Sequence, residues 1–139
     1  MWAIAFTPAV ATFLKLTLTI GWNNVLPRSN MARVKDSQRL DQATRDRLAR
    51  WAGAHQNGME NLPLWTGAVL AGYIAGIPHR TLNTYAVEYI GLRLLYTFIY
   101  TNQTTEVVGY LRTVTFFAGV PLPVILLIKA ANKIAATGI

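Results

Sequence analysis

The stretch 50–77, RWAGAHQNGMENLPLWTGAVLAGYIAGI, changes character at its middle. Its first half crowds His55, Gln56, Asn57, Glu60 and Asn61 together, whereas its second half, 62–77, is almost wholly apolar. At about 1.5 Å per helical residue the stretch is long enough to cross a hydrocarbon core of about 30 Å. In the apolar half Gly67, Ala71 and Ala75 recur every four residues, as do Ala68, Gly72 and Gly76. Small residues at that spacing let transmembrane helices approach closely. The polar half is then the anomaly, because a membrane span carries such residues only where they face protein or a wet cavity.

Outward from this stretch the chain repeats the same plan. Residues 2–26 form a first apolar span with Lys15, Asn23 and Asn24 as its polar exceptions. No basic region precedes it and no small-residue cleavage pattern follows, so an uncleaved span with a lumenal or outer N-terminus is expected. Pro78, His79 and Arg80 make a turn before a third span, 81–101, which carries Glu88 and Arg93. After the polar stretch 102–106, residues 107–128 supply a fourth span, interrupted by Arg112 and by Pro121 and Pro123, where a kink is expected. Lys129 and Lys133 close it. The expectation is an all-α, integral membrane four-helix bundle in a single domain, 1–139.

Composition agrees with lipid as the solvent. Of 139 residues, 53% are hydrophobic and 14% charged, with a mean hydropathy of +0.30, which would leave large apolar patches on a water-soluble domain of this size. The absence of cysteine excludes disulfides, thiolate metal sites and a cysteine nucleophile. His55 and His79 lie too far apart in sequence to make a local ligand cluster, so no metal is expected. The formal charge of +7 is concentrated: Arg28, Arg33, Lys35, Arg39, Arg45, Arg47 and Arg50 fall between Pro27 and Trp51, together with Asp36, Asp41 and Asp46. A basic loop, 27–49, between apolar spans reads as a cytoplasmic flank, and nucleic acid is not an expected partner.

With that loop inside, the start of the second span, the end of the third and the start of the fourth share one side of the membrane. Asn57 and Glu60 lie on one face of their helix, and Arg93, Tyr96 and Tyr100 on one face of theirs. Counted along the helices, these residues and Arg112 occupy one layer. Two readings fit Glu60 and Arg93: an interhelical ion pair that fixes register, or a binding site. Tyr100 alone would read as a boundary anchor, but it shares a face with Arg93. Arg112 has no evident acidic partner, since Glu88 lies toward the opposite side, and an anionic ligand would supply one. Guanidinium and hydroxyl groups directed into one cavity can stabilise a thiolate or a carboxylate, and with no cysteine in the chain such a thiol would belong to the ligand. His55 and Gln56 are expected to be solvated or to contact another subunit, and His79 to be exposed.

Three blocks carry a family resemblance. Residues 50–63 resemble the signature of the MAPEG family, membrane-associated proteins in eicosanoid and glutathione metabolism, which reads approximately R-x-x-R-A-x-x-N-x-x-E-N-x-P. Arg93, Tyr96 and Tyr100 are similar to the family's Arg, His or Tyr, Tyr pattern, and Leu111 to Phe116 to its R-S-V-T-Y opening of the last helix. The blocks fall in three spans in the family's order, and the resemblance covers nearly the whole chain.

The resemblance implies a homotrimer that binds glutathione as co-substrate between neighbouring subunits near the cytoplasmic side. Arg50, Asn57, Glu60, Arg93, Tyr96 and Tyr100 would hold the tripeptide, its carboxylates on the arginines and its amino group on Glu60. Arg112, with Thr113 at the usual serine position, would be catalytic, stabilising the thiolate that attacks a lipophilic electrophile or reduces a hydroperoxide. A loop arginine such as Arg33 would be free to join them. In a eukaryote the implied location is the endoplasmic reticulum membrane. Two positions depart from the pattern. Gly53 stands where the second arginine is usual, and Phe116 replaces an aromatic hydroxyl. Arg112 and Thr113 favour a glutathione S-transferase with possible peroxidase chemistry; Gly53 favours the alternative, a non-catalytic relative that binds lipid or serves as a membrane scaffold.

Overall fold

The computed structural model describes residues 1–137; Gly138 and Ile139, the end of the expected domain, lie outside the described residues. The described residues are helical and contain no strand. Helix α1 spans Trp2–Thr19, α2 Asn30–Asp36, α3 Gln42–Ile74, α4 His79–Asn102, α5 Glu106–Gly119 and α6 Pro121–Thr137, with a short 3-10 turn at Pro27–Ser29. Helices α5 and α6 form one apolar segment interrupted at Val120, immediately before Pro121, where the Val120 backbone itself stays helical.

Two segments are long and apolar enough to cross a membrane, Trp2–Thr19 with a mean hydropathy of 1.3 and Glu106–Thr137 with 2.0. Helices α3 and α4 are interrupted by the polar residues singled out above and fall short of that hydropathy. Large apolar side chains nevertheless face outward on every long helix, among them Leu18, Ile74, Val87, Phe98 and Phe117. Such a surface needs lipid or neighbouring subunits against it.

Helix α3 runs for 33 residues, about 50 Å, well beyond a hydrocarbon core. It begins at Gln42, about two turns before the expected start of the second span, because Asp41 caps it: the carboxylate accepts from Thr44 N at 2.9 Å. Those hydrogen bonds hold the Asp41 carboxyl below its usual range. The basic stretch 27–49 is thus substantially helical and folded onto the end of the bundle. Val34 and Leu40 pack there against Leu16 and Leu48, all four buried. Buried Asn30 ties the turn, accepting from Asn23 N at 3.0 Å and donating to the carbonyls of Asn23 and Pro27.

At the other end the small-residue stripes part company. Ala68 is buried with Ile77, Leu82, Leu126 and Ala130. A Cβ on Gly72 would lie 2.9 Å from Leu82 and 3.3 Å from Leu126, so α3, α4 and α6 meet over that stripe, whereas Gly67 of the other stripe has open space around it. Just past the end of α3 at Ile74, Gly76 has a φ of +68° that permits the Ile77 N to Gly72 O bond of 3.0 Å, and Lys133 of α6 donates to the Gly76 carbonyl. Trp65 stacks on buried Tyr89 of α4 with centroids 4.2 Å apart.

Candidate functional site

The polar half of α3 has two occupied faces. Toward α1, Gly58 allows contact so close that a Cβ there would lie 2.6 Å from the Ala5 Cβ, and His55 Nδ1 lies 2.8 Å from the Ala5 carbonyl. His55, expected to be solvated or to contact another subunit, is therefore a tie between α1 and α3, with Phe6 edge-on to its ring at 5.8 Å. On the opposite face of the same helix, Gly53, Gln56, Asn57 and Glu60 face a cavity of about 350 Å³ completed by Tyr96 and Tyr100 of α4 and by Arg112, Thr113 and Phe116 of α5. That volume is in the range of small-ligand sites.

Six of the eight expected site residues line this cavity: Asn57, Glu60, Tyr96, Tyr100, Arg112 and Thr113. Arg93 stands behind it, 4% exposed, its guanidinium 4.7 Å from the Tyr96 ring centroid and donating to Asn57 Oδ1 at 2.8 Å. Its Nε is buried without a partner. Glu60 instead accepts from Gln56 Nε2 at 2.9 Å, so of the two readings of Glu60 and Arg93 the ion pair is not the bond formed. Arg93 orients Asn57 and supports Tyr96 rather than reaching the cavity itself.

Arg50 lies in an adjoining cleft with Asp46, Gln103, Thr105 and Glu106, and the two spaces share Arg112 as a common wall. Its Nε points to the Thr101 carbonyl at 3.5 Å, the edge of hydrogen-bonding distance. Thr113 lines the cavity while its hydroxyl donates to Gly109 O at 3.1 Å, the usual resting bond of a helical threonine. Arg112 rests its guanidinium on the Tyr100 ring, 4.9 Å from the centroid. That contact with the ring face uses none of the guanidinium N–H groups in a hydrogen bond, so they stay available to a ligand.

Arg33 is not near this cavity. It donates to Gly21 O at 3.0 Å, Ile20 O at 3.1 Å and Asn30 Oδ1 at 2.9 Å, capping the C-terminus of α1. The loop pattern could not show this, because the free carbonyls it satisfies are a property of the folded α1 end. Gln56, Gly53 and Phe116 are lining residues that had not been assigned a site role. Gln56 and Glu60 stand four apart, which puts both on one helix face; that spacing was a usable signal.

The geometry can therefore do one thing well: present guanidinium, phenol and carboxylate groups from three helices to a small polar ligand beside an apolar surface. The family model for MAPEG matches residues 5–132. The chain belongs to the MAPEG family. No curated protein and no solved structure matches it. As a MAPEG protein it is membrane-associated, and its general field is the glutathione and eicosanoid chemistry of that family. Among the described residues no group of three His, Cys, Asp or Glu side chains could hold a metal ion.

Proposed function

We propose that this MAPEG chain is a membrane-bound glutathione transferase, with peroxidase capacity toward lipophilic hydroperoxides. The observation that carries the reading is the meeting of Arg112, Thr113, Tyr100, Tyr96, Asn57 and Glu60 around one cavity. Glutathione supplies a thiol whose proton passes to solvent on ionisation. Arg112 offers charge and N–H donors to the resulting thiolate, lowering its pKa below the usual value of about 8.5. Thr113 adds a second donor by giving up its bond to Gly109 O. Glu60 suits the ammonium group, Asn57 and the two tyrosines the peptide and carboxylate oxygens, and Arg50 a carboxylate extending into the adjoining cleft. The sulfur then forms a bond to an apolar electrophile as its leaving group departs. With a hydroperoxide, two glutathione molecules are oxidised to the disulfide and the hydroperoxide is reduced to alcohol and water.

The same reading places four spans at about 2–26, 50–77, 81–101 and 107–128, the folded basic segment 27–49 on the cytoplasmic side, and three copies around a common axis. The outward apolar side chains of α3, α4 and α5 support burial against lipid and neighbours. In a eukaryotic cell the membrane is that of the endoplasmic reticulum. The test is conjugation of glutathione to an activated aryl halide and glutathione-dependent reduction of a fatty-acid hydroperoxide by detergent-purified protein. Glu60→Gln is expected to raise the KM for glutathione roughly tenfold and leave kcat nearly unchanged, as loss of uniform binding does. Absence of both activities at millimolar glutathione would sink the enzyme reading and leave lipid binding or scaffolding.

A further inference from the structure

Gly53 is where this chain departs from its family pattern, and the structure shows what occupies the space. The Tyr100 hydroxyl lies too close to the point where the Cβ of any other residue at 53 would be for both to fit unmoved, with Tyr100 Cζ and Cε1 at 3.1 and 3.3 Å from that point. The ring tip is thus in contact with the backbone of α3. Its face carries the Arg112 guanidinium at 4.9 Å, and Tyr96 packs edge-on at 5.7 Å. Tyr100 is held between α3 and Arg112, and any other residue at 53 would push the ring tip out of this place.

We propose that Gly53 is a positioning residue: by leaving a seat for the Tyr100 hydroxyl it sets the ring on which Arg112 rests, and so the place of the guanidinium at the cavity wall. The missing arginine is then not simply a lost carboxylate contact. A side chain at 53 would displace Tyr100 from this seat, and this chain leaves the seat open. The functional consequence rests on the glutathione reading above, while the seat itself does not.

Thiolate absorbance of bound glutathione, followed against pH at saturating ligand, tests this in the detergent-purified full chain. Gly53→Ala is expected to raise the thiolate midpoint by roughly one unit, because Arg112 moves away with the ring. In Gly53→Ala/Tyr100→Phe the atom that the new Cβ meets first is gone, so the midpoint returns to that of Tyr100→Phe alone. A steric defect unrelated to Tyr100 would not be relieved in this way. A wild-type midpoint in Gly53→Ala, or a shift that Tyr100→Phe leaves in place, overturns the proposal.

Thermal unfolding without glutathione separates the two readings. Non-additive effects of the two substitutions support the seat, and additive ones overturn it. If wild type forms no thiolate, the glutathione reading fails while this coupling still decides the seat. Should Gly53→Ala fail to fold, recovery of folded protein in the double variant supports the seat and its absence overturns it.

Discussion

The two halves of α3 use small residues for opposite ends. In the apolar half Gly72 lets α3 touch Leu82 and Leu126, and the result is a dry core with Ala68 and Ala130. In the polar half Gly58 likewise admits Ala5, but Gly53 admits the hydroxyl of Tyr100, and the result is a cavity wall. The same backbone proximity gives stability in one place and a placed functional group in the other. What differs is the neighbour: leucines contribute only packing, whereas the neighbours of the polar half carry hydrogen-bonding groups that must be paired or turned to a ligand.

The contrast breaks most severely where a buried charge depends on a single polar partner. Asn57→Leu removes the acceptor of Arg93, whose Nε is already unpaired, and is expected to cost about 3 kcal/mol of stability, the upper end of what a charged group's hydrogen bond contributes. Unfolding in detergent checks it, and an unchanged transition would show that Arg93 finds another acceptor. Gly72→Val in the apolar half should cost about 2 kcal/mol through overpacking, while Gly67→Val, with open space at its Cβ, should stay within about 0.5 kcal/mol. Equal losses at the two glycines would mean that both stripes are packed, the second against a neighbouring subunit.

The smallest effect sharpens the boundary of the polar half. Asp41 is held below its usual pKa by Thr44, so its contribution to the start of α3 is present above the unfolded pKa and lost as pH falls through the folded one. Protection of the Thr44 and Arg45 amides, relative to their intrinsic exchange at each pH, should therefore fall in the acid range while protection near Asn57 does not. Asp41→Asn should remove most of that pH dependence. Equal loss of protection at both places would mean that α3 opens as one unit.

Much of this was legible in the sequence because helix periodicity is a strong local signal. Asn57 with Glu60, and Tyr96 with Tyr100, were assigned to single faces by spacing alone, and the structure turns those faces to one cavity. The interruption between α5 and α6 at Val120 falls where the prolines follow. Periodicity gives a residue's face but not what stands opposite. Hence Arg93 was read as a cavity residue or an ion-pair partner of Glu60, although it lies behind Asn57, and His55 was grouped with Gln56, although one turns to α1 and the other to the cavity. Arg33 shows the same limit in the basic segment, where an arginine offered to the site folds back to cap a helix. Gly53 was legible as a departure from a pattern. That Tyr100 fills the space could be seen only once α4 was set against α3.

The most direct measurement follows the ultraviolet absorbance of the thiolate as glutathione is titrated into detergent-purified protein at neutral pH, for wild type and Arg112→Ala side by side. A cavity that activates the thiol through Arg112 predicts a saturable thiolate signal in wild type and none in the variant. No signal in wild type at millimolar glutathione, or an equal signal in both proteins, would contradict it.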